Sequence, residues 1–104
     1  MSINKSDKYD FEGPYSDTNS LEDRSGVYVI LDYRDDGKHY VLHVGESAQV
    51  RTRVENHDRQ ECWYRNKKGS IYFVVYYTPS LQQPGRMAIE QEIRDKYNPP
   101  CGRQ

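Results

Sequence analysis

From Val27 onward the chain groups its apolar residues in patterns that the first two dozen positions lack. Val27-Tyr28-Val29-Ile30-Leu31 is β-branched and aromatic, Asp35-Asp36-Gly37-Lys38 supplies turn residues, and Tyr40-Val41-Leu42-His43-Val44 resumes the strand chemistry. Together they spell a β-hairpin. Gly45 ends the second strand, and Glu46 or Ser47 then caps a helix over about 48–58 with Val50 and Val54 as its buried stripe. At about 100° per residue, Arg53 and His57 fall on one shoulder of that stripe and Arg51 on the other. Residues 58–69 are polar and basic, with space for a helical turn around Cys62-Trp63-Tyr64. Ile71 to Tyr77 is apolar on both faces and reads as a central strand. Pro79 stops it, and Pro84-Gly85 opens a helix over about 85–97, with Ile89, Ile93 and Tyr97 at i, i+4 and i+8. Asn98-Pro99-Pro100 forbids its continuation. The pattern predicts an α+β fold: a three-stranded antiparallel β-sheet flanked by helices, in the order β-β-α-β-α.

Residues 1–24 mix Ser, Asp, Asn, Gly and Pro without a period and read as a flexible acidic lead-in to a domain spanning 25–104. The formal charge of −1 divides unevenly between the two: three basic and six acidic side chains in 1–24, twelve and ten in 25–104. The folded part is therefore mildly basic. Its cations concentrate at Arg51, Arg53, Arg59, Arg65, Lys67 and Lys68, with Trp63 and Tyr64 among them, a composition suited to phosphate contact and base stacking as well as to a solvated helix face. Ten Tyr, two Phe and one Trp in 104 residues imply a core that is partly tyrosine, whose hydroxyls need partners. No apolar run reaches the ~18 residues of a membrane span, and Met1-Ser2-Ile3-Asn4-Lys5 lacks the apolar stretch of a signal peptide. The expectation is a cytoplasmic protein in which Cys62 and Cys101 are free thiols.

Five residues carry candidate chemistry: Tyr28, His43, Arg53, His57 and Glu90. Imidazole titrates near neutrality and is a better base at pH 7 than a phenol of pKa about 10. A fork-shaped, permanently charged guanidinium suits the charge that develops on phosphoryl oxygens. A single carboxylate with substrate phosphate suffices for Mg or Mn, which keep several waters. Taken one by one, each residue also has an ordinary structural reading: a sheet tyrosine, a strand-end histidine, a helix C-terminal histidine, a solvated glutamate. A zinc site is disfavoured because His and Cys show no paired short spacing.

In order and spacing, Gly26-Val27-Tyr28, His43-Val44-Gly45, Arg53, His57 and Glu90, with Ile93 and Pro99 following, resemble the GIY-YIG nuclease superfamily. The resemblance spans about residues 25–102. It implies a metal-dependent endonuclease that hydrolyses DNA phosphodiester bonds with Mg or Mn on Glu90. In that reading Tyr28 and His43 place or activate water, Arg53 and His57 hold the phosphate, and Arg51, Arg59, Arg65, Lys67 and Lys68 contact nucleic acid. Substrate choice would rest on DNA structure, such as a branch or nick, on the basic 59–68 loop, on a homodimer or on a targeting partner. Two departures stand out: His43 occupies a slot that the family usually fills with Tyr, and Gly102 stands where an Asn is frequent. They motivate an alternative, a catalytically silent nucleic-acid-binding or adaptor module on the same fold, while the acidic lead-in motivates a protein-interaction domain.

Overall fold

The computed structural model describes residues 9–101. In chain order these form strand β1 (Glu12–Tyr15), a 3-10 turn (Thr18–Ser20), strands β2 (Gly26–Tyr33) and β3 (His39–Ser47), helices α1 (Val50–Glu55) and α2 (Gln60–Asn66), strand β4 (Ser70–Tyr77) and helix α3 (Gln83–Tyr97). The class is α+β, but the antiparallel sheet has four strands rather than three, ordered β1-β4-β2-β3. β4 is internal, as its apolar character on both faces requires, and β2 beside it is buried from Gly26 through Asp32.

Alternation along the strands divides the core in two. Tyr28, Ile30, Leu42, Phe73 and Val75 pack with Val50, Val54 and Trp63 of α1 and α2; Val27, Val29, Leu31, Val44 and Val74 pack on the other face with Ile89 and Ile93 of α3. β3 is an edge strand, and its pairing with β2 slips by one residue, Ile30 facing His43 but Leu31 facing Val41. Leu42 is the bulged residue. The bulge lets Leu42 fill the core under α1 and α2 while His43, its neighbour, also contacts that side through Tyr28, His57 and Trp63.

The described part of the lead-in is structured, which corrects the flexible reading of 1–24. β1 pairs with β4, and Phe11 and Leu21 are only 3% and 2% exposed, one in each half of the core. Asp23 takes the capping role expected of Glu46 or Ser47, accepting hydrogen bonds from the Thr52 N–H (2.9 Å) and hydroxyl (2.8 Å) in the first turn of α1. Ser47 instead accepts from the Gln49 N–H. None of this shows as local periodicity, because β1 is four residues long, is interrupted by Gly13-Pro14, and is a strand only through its distant partner. Residues 1–8 and Gly102 lie outside the described residues.

The cysteines are likewise corrected. Cys62 and Cys101 form a disulfide across 39 residues, because the Cys101 N–H bonds the Leu42 carbonyl and sets that residue against α2. The polar stretch 58–69 contains α2 rather than a single turn, and α1 ends at Glu55, short of the expected 58. Among the described residues no helix is long and apolar enough to cross a membrane.

Candidate active site

At the Gly45 end of the edge strand a pocket of about 230 Å³ opens, and Tyr28, His43, Arg53, His57 and Glu90 all line it. They come from β2, β3, α1, the α1–α2 link and α3. An edge strand makes this possible, since groups from the α1 side and from the α3 side can meet around it. The glycines explain the local sequence. Gly45 lies opposite Tyr28 in the ladder, and a Cβ there would stand 2.3 Å from the Tyr28 hydroxyl oxygen, so only glycine leaves room for that ring. Gly26 is constrained in the same way, with the Tyr76 carbonyl oxygen 2.7 Å from where its Cβ would be.

Three rings form the floor. His43 and His57 have centroids 4.6 Å apart, and Tyr28 lies 6.1 Å from the first and 6.0 Å from the second. The His43 Nδ1 bonds the Cys101 carbonyl, which can only accept, so Nδ1 carries the proton and Nε2 keeps its lone pair. His57 is the opposite tautomer: its Nδ1 accepts the Arg59 N–H at 2.9 Å, which leaves the proton on Nε2. Asp58 Oδ1 is 3.3 Å from the same Nδ1, an attraction that would count only for a charged ring. Burial holds both rings neutral, lowering His43 from 6.5 to about 4 and, with the neighbouring His43 and Arg53 adding repulsion, His57 to about 3. Burial also raises the Tyr28 phenol well above 10 although Arg53 hydrogen-bonds it, so Tyr28 is a neutral donor and not a base.

Arg53 is the exposed cation of the pocket, its side chain 43% accessible and its guanidinium 3.4 Å from Asp58. Two carboxylates occupy the opposite wall. Glu90, raised by burial and by the charge of Glu46, is bonded by Arg94 one turn along α3. Glu46, which the sequence had suggested only as a cap, is bonded by Arg86 at 2.9 Å and receives Gln83 at 3.3 Å. Carboxylate oxygens are the donors that Mg and Mn prefer, although each carboxylate here already carries an arginine, Arg86 on Glu46 and Arg94 on Glu90. In that chemical sense the wall fits a divalent ion. Among the described residues no group of three or more His, Cys, Asp or Glu comes together as a complete metal cage, so water and phosphate would have to complete any coordination. No protein-family model, curated protein or solved structure matches the chain.

The residues singled out for nucleic-acid contact lie outside this pocket. Arg51 bonds Glu55 and Asn19, Lys67 bonds the Gly69 carbonyl, and Lys68 lines a separate cavity of about 380 Å³ with Arg34, His39 and Tyr40. Arg59 and Arg65 flank and belong to α2, where Tyr64 is 60% exposed. Trp63 is no stacking platform: it is buried, with its ring 4.8 Å from His57 and 5.7 Å from His43, and walls the site from below. Sequence reasoning missed Glu46, Arg86 and Arg94. For Arg94 the signal was present, since a residue four after Glu90 shares its helix face.

Proposed function

We propose that the protein is a small endonuclease of GIY-YIG type that hydrolyses phosphodiester bonds in DNA. The observation that carries this reading is the convergence of Tyr28, His43, Arg53, His57 and Glu90, the first and last 62 positions apart in sequence, on one pocket at an edge strand. A core tyrosine, a strand-end histidine and a solvated helix glutamate with merely structural roles have no reason to meet.

In this reading a phosphate enters beside Arg53, whose accessible guanidinium pairs with two of its oxygens. His43 is held by Cys101 with Nε2 free, neutral at pH 7, and takes the proton of the attacking water as the new oxygen–phosphorus bond forms. His57 donates a hydrogen bond through Nε2–H but not a proton, since losing it would leave an imidazolate. Its partner is a phosphoryl oxygen or the departing oxygen, which is protonated from solvent as its bond to phosphorus breaks. Tyr28 orients the water through its hydroxyl, and Trp63 keeps the floor dry. Glu90, with Glu46 facing it, would hold Mg or Mn, whose charge offsets that of the phosphate.

Incubation with branched, nicked and duplex DNA in Mg or Mn tests this. Wild type should cut, Glu90→Gln should not, and Arg53→Ala should lose at least ~10²-fold in rate with its fold intact. Arg51→Ala, outside the pocket, should fall by much less. Equal losses at the two arginines would mean a general basic patch. DNA binding without cleavage in either metal would favour the silent module that His43 in the tyrosine slot already suggests.

A further inference from the structure

The counterion of Glu90 is a residue to which the proposed chemistry assigns no task. Arg94 lines the same pocket, bonds Glu90 through Nη2, and reaches the Val44 carbonyl of the edge strand with the same nitrogen at 3.3 Å. Its Nε is buried and, among the described residues, makes no hydrogen bond. A buried guanidinium N–H left without an acceptor is costly, so this arrangement holds a donor in reserve. Glu46 does not supply the missing acceptor, because Arg86 and Gln83 already engage it.

We propose that Arg94 is an internal cation occupying the place on Glu90 that a divalent metal must take, and that on release it becomes the second phosphate-binding arginine of the pocket, opposite Arg53. This rests on the nuclease reading above and adds a regulatory step to it. Arg94 holds Oε2 of Glu90, so a divalent ion that takes that oxygen, alone or with Oε1, must displace a formed ion pair. Metal together with a phosphodiester gives the displaced arginine a new acceptor for Nη2 and for the orphaned Nε. Binding of the two ligands is then coupled: each raises the affinity of the site for the other, and the coupling resides in Arg94. Without substrate the site stays closed by its own side chain.

The experiment is Mn2+ titration followed by electron paramagnetic resonance, with and without millimolar dimethyl phosphate, on wild type and on Arg94→Gln, Arg53→Gln and Glu90→Gln. Folding of each variant is checked by circular dichroism, with Arg94→Met as a second substitution should the first unfold. Arg94→Gln should bind Mn2+ on the order of tenfold more tightly than wild type in the absence of phosphodiester. Dimethyl phosphate should tighten Mn2+ binding in wild type and have little effect in Arg94→Gln, while Glu90→Gln should lose binding. Unchanged or weaker Mn2+ affinity in folded Arg94→Gln, with wild type binding, would overturn the proposal and leave the metal reading intact. An equal gain in Arg53→Gln would also overturn it, because the effect would then be the loss of any nearby positive charge. If neither wild type nor Arg94→Gln binds Mn2+, the proposal and the metal on Glu90 fall together.

Discussion

Acidification should loosen this fold through its buried imidazoles, and His43 is the group through which to see it. The ring is 3% exposed, and burial takes it from its ordinary 6.5 to about 4, with Arg94, Arg53 and Arg59 acting in the same direction. The folded state therefore binds fewer protons than the unfolded chain between those two values. Stability rises with pH wherever the unfolded state binds more protons, so this contribution is complete above pH 6.5 and is lost as pH falls toward 4. By pH 5 the unfolded imidazole is almost wholly charged and the folded one almost wholly neutral, a difference of about 2 kcal/mol. For a domain of this length that corresponds to roughly 10 °C in melting temperature. His57 adds to the loss in the same window, whereas Glu90, whose carboxyl is raised by burial, gains a proton on folding in the acid range and offsets part of it. Asp23, Asp32, Asp36 and Asp58 are all lowered, so their contributions disappear only as pH falls through a still lower range.

The assay is the melting temperature of wild type and His43→Gln at half-unit steps from pH 7.5 to 5. Loss of packing will make the variant less stable at pH 7.5. The informative quantity is how the gap changes, and it should narrow by about 2 kcal/mol by pH 5 because the variant has no buried imidazole at this position to charge. A gap that stays constant across the range would refute the reasoning, and so would a wild-type melting temperature that does not move between pH 7 and 5.

The described lead-in should be part of the folding unit, so deletion of residues 1–24 should unfold or severely weaken the domain, and Leu21→Ala alone should cost about 2–5 kcal/mol by chemical denaturation; a truncated chain with the wild-type midpoint would return the segment to the status of a tail. The Cys62–Cys101 bridge closes 39 residues, and its reduction should lower stability by about 4 kcal/mol, read as a melting shift between oxidised and reduced samples with thiol counting as the control. Reduction that leaves the melting temperature unchanged would show that the loop is held as well by its other contacts.

What the sequence made legible is what short-range patterns encode. The hairpin from Val27 to Val44 and the strand from Ile71 to Tyr77 declare themselves by β-branched and aromatic runs, and the last helix by Ile89, Ile93 and Tyr97 on one face with Pro84 at its start. The parts that escaped depend on partners far along the chain. β1 is a strand because of β4, Asp23 is a cap because α1 begins 26 residues later near Gln49, and Cys62 is half of a disulfide because Cys101 is pinned to Leu42. Inferring free thiols from cysteine count and compartment addressed the redox environment, but the geometry turned on one backbone hydrogen bond.

The site divides along the same line. The family resemblance was what nominated Tyr28, His43, Arg53, His57 and Glu90, but it could not say what state each is in, and any chemistry depends on the state. His43 with a free Nε2 and His57 with a protonated one are set by a carbonyl at Cys101 and an amide at Arg59, neither of which a motif contains. Burial also separates an imidazole from a phenol as a proton acceptor. The Tyr28 phenol is pushed well above 10 by burial and stays protonated, unable to accept a proton at neutral pH. A buried imidazole moves the other way and remains a neutral acceptor down to about pH 4. Desolvation, which disables a phenol as a base, keeps a histidine in its basic form, at the cost of a proton affinity well below that of an exposed imidazole.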